Sequence, residues 1–177
     1  AIPQFENKLA SYSMKNKVSK QVARAAFLKS ALWDNGSVIN CRFIGGEKWQ
    51  KAWVEKTIKE KFEPHVNLDF IFTETHTGND DIVITFNNGD GAWSYVGTEA
   101  KKYIVQNGST MNFGWLDPPM NSFEWRDIVY YIPQNVSRQF DNGMVIMHEF
   151  GHAIGMIHEH QNPRGNIIEW NQQAVIE

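Results

Sequence analysis

Residues 148–159 read HEFGHAIGMIHE, and this stretch decides how the chain folds. His148 and His152 are four residues apart, so on a helix their imidazoles project from the same face. Gly155 can end that helix because glycine adopts a positive φ at no steric cost, and the chain can then turn back and bring His158 beside the other two. Three imidazoles in this arrangement can bind one zinc ion and leave a position for water, as catalytic zinc sites do.

Glu149 directly follows the first of these histidines and is rotated around the helix, toward the water rather than the metal. A carboxylate in that position can act as a general base. The alternative is a helix whose histidines are buried and structurally satisfied. Four of the six histidines fall between residues 148 and 160, which a purely structural helix would not need. We therefore predict a Zn²⁺ cofactor with His148, His152 and His158 as its ligands and Glu149 as the catalytic base.

Length and composition indicate a single soluble domain. The chain has 177 residues, of which 42% are hydrophobic and 21% charged, as is ordinary for a globular protein with its own core. No apolar run approaches the roughly 18 residues of a membrane span. A net charge of −3 provides no general attraction to nucleic acid. Cys41 is the single cysteine, so no disulfide can form within the chain. These features leave the oligomeric state open.

Residues 1–31 are predicted to form an N-terminal extension, separate from a catalytic domain at residues 32–177. Val18, Val22 and Ala26 recur at helical spacing among basic residues, so the later part of the extension is predicted to be helical. Such a helix could pack on the body of the protein, be detachable, or bind a membrane surface. The membrane is the least favoured of these partners, because the apolar side of the helix is small.

The next part of the chain combines strands with one long helix. Glu47–Phe62 reads as a helix with two apolar stripes on nearly opposite sides, so both sides should be covered. One cover should be the sheet, and the N-terminal extension is a candidate for the other. Strands are predicted at Ser37–Ile44, Asn67–Thr73 and Asp81–Phe86, with a simple turn at the glycine-rich residues 87–91. This order predicts an α+β fold with a twisted sheet backed by helices.

A further strand and a second helix lead to the histidine motif. Ser109–Leu116 alternates apolar and polar residues with a period of two, which indicates a strand covered on one face. Residues 117–136 are predicted to be irregular, apart from one short apolar stretch. A helix from about Phe140 then continues into the motif, and we expect its Met144 and Met147 in the core.

The histidine motif, with Glu159 directly after its third histidine, resembles the astacin branch of the metzincin zinc peptidases. Two other stretches agree with this resemblance. The sequence GAWSYVG at residues 91–97 looks like the G-C-x-S-Y-V-G segment of that branch, and Leu32-Trp33 resembles the start of its catalytic domain. The resemblance covers about residues 32–160. It implies the zincin fold, in which a twisted mixed sheet has a backing helix and an active-site helix below it.

The same resemblance implies how the site residues act. Glu159 is expected behind the zinc ligands, where the equivalent acid of astacins anchors the mature N-terminus. An edge strand, expected here at Ser109–Leu116, pairs with a peptide or protein substrate in extended form through main-chain hydrogen bonds. The substrate-binding residues on that strand would be Met111, Asn112, Phe113, Gly114 and Trp115. The resemblance also implies a secreted, extracellular protein.

Three features depart from the astacin pattern. Ala92 stands where animal astacins have a disulfide cysteine, which indicates a disulfide-free, bacterial-type relative. Asn162 occupies the place of the usual arginine. The methionine turn that metzincins carry after the third histidine is missing, since all six methionines precede His158. We therefore expect the natural chain to continue beyond Glu177.

The extension also suggests a processing site. In astacins the mature N-terminus begins a few residues before the Leu-Trp segment, and here that position falls at about Ala25. Residues 1–24 would then be a removable pro-segment, and its cleavage would free the Ala25 amine to pair with Glu159. The alternative, which we favour, is that Ala1 is already the mature terminus and residues 17–31 are a permanent helix.

These observations together predict a zinc-dependent endopeptidase that hydrolyses peptide bonds with Glu149 as its general base. Two alternatives stay open. The protein could be a selective protease that cleaves one target protein, as a toxin or effector does. It could also be a non-catalytic zinc-binding protein whose cleft is blocked. Glu149 argues against the last alternative, because zinc binding alone does not need that acid.

Overall fold

The computed structural model describes residues 26–116, 118, 121–136 and 143–158. This described part of the chain contains short strands and three α-helices. The strands are β1 Ala26–Phe27, β2 Val38–Phe43, β3 Asp69–Thr73, β4 Ile82–Thr85, β5 Ala92–Ser94, β6 Met111–Phe113, β7 Ser122–Trp125, β8 Ile128–Tyr131 and β9 Met156–Ile157. The helices are α1 Lys48–Thr57, α2 Lys101–Asn107 and α3 Met144–Ala153.

The main sheet has five strands in the order β3-β2-β4-β6-β5. β2, β3, β4 and β6 run parallel to one another, whereas β5 pairs with β6 in the antiparallel direction. β1 and β9 form a separate antiparallel pair, and β7 and β8 form a hairpin. A mixed sheet packed with helices confirms the predicted α+β class.

The helix predicted at residues 47–62 is present, with a change of pitch near its end. Its N-terminus has a capping box. The Glu47 side chain accepts a hydrogen bond from the Gln50 backbone N–H, and the Gln50 side chain accepts one from the Glu47 backbone N–H. After α1 the chain continues as a π-helical turn at Ile58–Phe62. A single turn of 3-10 helix that contains Pro64 then ends the element.

Both apolar sides of this helix are covered, as predicted, but the second cover is a different element. Val54 and Ile58 are fully buried in the core beneath the sheet. On the other side, the Trp53 ring packs against Phe123 of β7, with ring centroids 5.2 Å apart. The β7–β8 hairpin therefore covers this side. The N-terminal extension, the candidate cover predicted from the sequence, is described only from Ala26 onward, where β1 pairs with β9 instead.

The prediction of irregular structure for residues 117–136 misses the β7–β8 hairpin. The two central residues of its turn, Arg126 and Asp127, have φ angles of 52° and 61°. Two-residue turns with both residues at positive φ match the twist of the strands, and their usual sequence signal is Asn-Gly or another glycine pair. Arg-Asp gives no such signal, so local sequence does not mark this turn.

The N-terminal extension forms no α-helix where the structure describes it. Ala26 and Phe27 form β1, which pairs with Met156 and Ile157 of β9, and Lys29–Ala31 is a single 3-10 turn. For Ala26 and Phe27, pairing with a distant strand provides the backbone hydrogen bonds that a local helix would otherwise supply, so helical spacing does not decide their structure. Residues 1–25, including the predicted pro-segment, lie outside the described residues.

The strand predicted at Ser109–Leu116 is present, but it is neither half-covered nor at the edge of the sheet. β6 lies between β4 and β5, and Met111, Asn112 and Phe113 are all fully buried. Asn112 tolerates burial because its side-chain amide donates to the carbonyls of Asn87 and Gly91. The alternation of polar and apolar residues therefore does not correspond to an exposed face here.

Aromatic packing places α3 against the sheet. The Phe150 ring lies 5.5 Å from Phe70 and 6.1 Å from Phe72 of β3, and 6.3 Å from Phe62, measured between ring centroids. The contacts with Phe70 and Phe62 are edge-to-face, an arrangement that aromatic pairs favour, and they hold the apolar face of α3 against the core. No helix in the part of the chain that the structure describes is long and apolar enough to cross a membrane.

Candidate active site

Helix α3 presents two imidazoles on the face opposite its aromatic contacts. Phe150 is fully buried, whereas His148 is exposed and His152 is half-buried. Met144 is 55% exposed at the first turn of the helix, so its predicted place in the core is wrong. Its position near the histidine-bearing face explains the exposure, because the apolar face of α3 is provided by its neighbours Val145 and Ile146.

The turn after α3 brings the third histidine back to the first two. Gly155 has a φ of 103°, a conformation that favours glycine, as the sequence predicts. The Nε2 atom of His152 lies 3.2 Å from Nε2 of His148 and 3.2 Å from Nε2 of His158. The Nε2 atoms of His158 and His148 are 3.3 Å apart. Three lone-pair nitrogens thus converge on one point.

These distances fit a bound zinc ion. A tetrahedral zinc with nitrogen ligands at about 2.0–2.1 Å holds those nitrogens about 3.3–3.4 Å apart, close to the three separations observed. The donor set of three neutral imidazoles is also one that zinc favours. In the described residues, no other group of three or more histidine, cysteine, aspartate or glutamate side chains converges in this way. His148, His152 and His158 are therefore the residues that could hold the metal.

The protein sets the protonation of these rings. His152 Nδ1 lies 2.8 Å from the Met156 carbonyl oxygen, and donation to that oxygen leaves Nε2 unprotonated, as a metal ligand must be. Burial lowers the pKa of His152 in spite of this hydrogen bond, and burial together with the nearby His158 lowers the pKa of His148. Both shifts favour the neutral imidazoles that bind metals.

Glu149 is the buried acid of the site. It is only 5% exposed, and burial raises its pKa to about 7. A general base works best with a pKa near the operating pH, since it must be deprotonated yet still basic. The residue that directly follows the first histidine in the chain therefore has a carboxyl group that can exchange protons near neutral pH.

The edge strands of the sheet are β3 and β5, and the predicted Ser109–Leu116 is not one of them. β5 is the edge strand that lies within the GAWSYVG segment. Gly114 N donates to Gly91 O and Tyr95 N donates to Thr110 O, both at 2.9 Å, so residues 91, 93 and 95 face β6. The main-chain groups of the alternate residues, Ala92 and Ser94, point away from β6. In the described residues no strand covers that side.

The five residues predicted to bind substrate are not brought to this edge. Met111, Asn112 and Phe113 are inside the sheet, and Gly114 and Trp115 follow at the end of β6. Ala92 and Ser94 occupy the edge instead, beside α3, which packs against β5. β5 has only three residues, which is too short for a periodic pattern to predict it from sequence. Its residues do lie within the GAWSYVG segment that supports the family resemblance. Glu159 lies outside the described residues.

Comparisons with known proteins agree with this geometry. The family model for the matrixins (Peptidase_M10) matches residues 32–169. A solved structure of myroilysin is 35% identical, with 85% of this chain and 62% of that chain covered and a TM-score of 0.66. A crystal structure of myroilysin is 38% identical, with 82% and 54% covered and a TM-score of 0.58. A search of curated protein sequences finds no match.

The two myroilysin comparisons also show that this chain spans less than two thirds of each matched chain. The matched family is matrixin, so the predicted metzincin relationship is confirmed, whereas the predicted astacin-like branch is not. The match covers the sheet, α1, α3 and the three histidines in one continuous stretch. This chain belongs to the matrixin family of metzincin peptidases.

Proposed function

We propose that this protein is a zinc-dependent endopeptidase. The observation that carries the proposal is the convergence of three Nε2 atoms at 3.2–3.3 Å, together with the burial of Glu149, which directly follows His148 in the chain. His148, His152 and His158 would hold the ion, which would supply a Lewis acid to polarise a carbonyl and to lower the pKa of water to about 7. The Met156 carbonyl keeps His152 in the tautomer that can serve as a ligand.

Glu149 would move the protons of the reaction. Its carboxylate accepts a proton from the water that attacks the scissile carbonyl carbon, and it returns that proton to the amine nitrogen as the carbon–nitrogen bond breaks. Burial keeps the pKa of Glu149 about 7, so the same group can act first as a base and then as an acid.

The edge strand β5 would bind the substrate. Ala92 and Ser94 direct their main-chain N–H and C=O groups outward, and an extended peptide can pair with them as an added strand. Because α3 packs against β5, such a peptide would run past the histidines. The partner is therefore a peptide or an unfolded stretch of a protein. An extracellular location is part of the proposal and rests on family membership alone.

We propose that this matrixin-family chain also shares features of the astacin branch of the metzincins. It is supported by the GAWSYVG segment and by Glu159 directly after the third histidine. Cleavage-site profiling would bear on it, and would also separate a general peptidase from a protease that cleaves one target.

The test of the proposed function combines two variants. Glu149→Gln should retain one zinc per chain and lose peptide hydrolysis by about 10²–10⁴-fold, because general base catalysis contributes that much. His152→Ala should lose zinc itself, measured by metal analysis. Glu124→Gln, which makes the same change on the exposed side of β7, serves as the control and should be fully active.

Three results would contradict the proposal. If the zinc-replete Glu149→Gln protein hydrolysed peptides at the wild-type rate, Glu149 could not be the general base. If the His152→Ala protein kept full zinc occupancy, the assignment of the three histidines as the metal site would be wrong. A wild-type protein that binds zinc stoichiometrically but cleaves no casein, gelatin or peptide library would favour the non-catalytic zinc-binding alternative.

A further inference from the structure

A short segment before the sheet holds the turn that carries the third histidine. We call residues Leu28–Trp33 the N-terminal strap. The Leu28 backbone N–H donates to the Gly155 carbonyl at 2.9 Å. The Trp33 indole Nε1–H donates to the Ala153 carbonyl at 2.8 Å. The strap therefore contacts the chain at the end of α3 and again at the glycine that redirects it.

The Trp33 hydrogen bond satisfies a carbonyl at the end of a helix. The last four carbonyls of an α-helix lack partners within the helix. In α3, the carbonyls of Phe150, Gly151 and His152 accept from the backbone of Ile154 or Gly155. The Ala153 carbonyl, on a residue that is 2% exposed, accepts from the Trp33 indole instead.

The backbone of the strap also passes close to two glycines. A Cβ atom on Gly97 would lie 1.8 Å from the Ala31 carbonyl oxygen. A Cβ atom on Gly155 would lie 2.8 Å from Leu32 Cδ2 and 3.6 Å from the Ala31 oxygen. Ala31 itself is fully buried. The strap thus fits between the turn that follows β5 and the turn that follows α3.

A cation holds the Trp33 ring from one face. Lys101 Nζ lies 5.0 Å from the ring centroid of Trp33 and 2.7 Å from Asp81 Oδ1. The cation–π contact and the ion pair together restrict how the indole can rotate. The indole donor is therefore directed at the end of α3 by groups outside the metal site.

We propose that Trp33 is a positioning residue for the metal site, acting on His158 through the Ala153 carbonyl and the Gly155 turn. The turn carries both the Met156 carbonyl, which sets the tautomer of His152, and His158 itself. Without the indole donor, the end of α3 is free to fray and the third ligand is less well held. This inference rests on the proposed zinc site and concerns how the chain preorganises it.

The test uses zinc affinity, measured by competition with a chromogenic chelator on the full chain. Trp33→Phe removes the donor and keeps an aromatic ring, and we expect it to weaken zinc binding about 10-fold, the lower end of the effect of altering groups behind metal ligands. Trp49→Phe is the matched control, because it loses an indole hydrogen bond to Glu47 in the same protein. The control should bind zinc as the wild type does.

A double-mutant cycle with His158→Ala separates positioning from general destabilisation. If Trp33 acts through His158, Trp33→Phe should weaken zinc binding much less in the His158→Ala background than in the wild-type background. An equal loss in both backgrounds, or no loss in the wild-type background, would overturn the proposal. Unchanged zinc affinity in His158→Ala alone would instead overturn the proposed zinc site.

A second variant keeps the test decisive if Trp33→Phe does not fold. Leu28→Pro removes the N–H that binds the Gly155 carbonyl, at a position where Leu28 has a φ of −82°, which proline can adopt. It should weaken zinc binding in the wild-type background and much less in the His158→Ala background. Unchanged affinity in a folded Leu28→Pro protein would also contradict the role of the strap.

Discussion

Asp80 has a buried side chain, 1% exposed, two residues before β4. Its Oδ2 accepts hydrogen bonds at 2.6 Å from Arg42 Nε and, in the matching tautomer, from His76 Nδ1. Burial alone would raise the pKa of Asp80, but the hydrogen bonds from Arg42 and His76 outweigh it and hold the pKa below its usual value. The carboxylate thus stabilises the fold when it is ionised.

We predict that Asp80→Asn lowers the free energy of unfolding by about 2 kcal/mol at pH 7, as expected for hydrogen bonds to a charged group. A lowered folded-state pKa gives stability that is present above the unfolded pKa of about 3.9 and is lost as the pH falls through the folded value. The difference between the proteins should therefore shrink at pH 3. Urea unfolding at both pH values measures it, with Asp69→Asn as an exposed control.

The four residues of the proposed chemistry were predictable because their spacing is local. His148, Glu149, His152 and His158 lie within eleven residues, and Gly155 marks the turn among them. The burial of Asn112 was not predictable in this way. Its Oδ1 accepts from Thr85 and from the backbone of Asn87, which lie 27 and 25 positions away in the chain. No local pattern reports such partners.

The turn after β5 depends on a glycine for a packing reason. We predict that Gly97→Ala lowers the free energy of unfolding by about 1–3 kcal/mol, because its Cβ would overlap the Ala31 carbonyl oxygen and overpacking costs that much. Gly36→Ala is the control: Gly36 also has a positive φ, 82°, but no atom within 4 Å of a new Cβ. Chemical denaturation of both variants would compare the two effects. Equal losses of unfolding free energy in the two variants would mean that backbone strain, rather than contact with the strap, requires glycine at position 97.

Elements with strong local signals were predicted better than elements defined by their neighbours. The helix at 47–62 and β2, β3 and β4 follow from periodicity and apolar runs. The position of a strand at the edge of the sheet does not follow from these local patterns. β5 and β6 are each three residues long, and only their pairing shows that Ala92–Ser94 is outermost. The β7–β8 hairpin also depends on its contact with Trp53, which local sequence does not reveal.

Metal removal should affect the stability of the whole domain. A ligand that binds only the folded state stabilises it by about 2.7 kcal/mol at a free concentration 100 times its dissociation constant. For a domain of this size, that corresponds to a rise in unfolding temperature of about 5–10 °C. We predict this rise when zinc is added to chelator-treated protein, measured by thermal unfolding. His152→Ala should show no rise, and a rise of the same size in that variant would place the zinc elsewhere.

The hydrogen bond between Trp33 and Ala153 joins residues 120 positions apart in the chain. During synthesis at roughly 5–20 residues per second, about 6–24 seconds therefore separate the appearance of the strap from that of its partner. For that interval Phe27 and Leu28 lack the strand and turn that they later contact. The histidines of the motif are synthesised almost together, within eleven residues. The strap that supports them is synthesised much earlier and has no partner at the end of α3 until they appear. The order of synthesis thus keeps the turn that carries His158 from reaching its final contacts with the strap until residues 153–155 have been made.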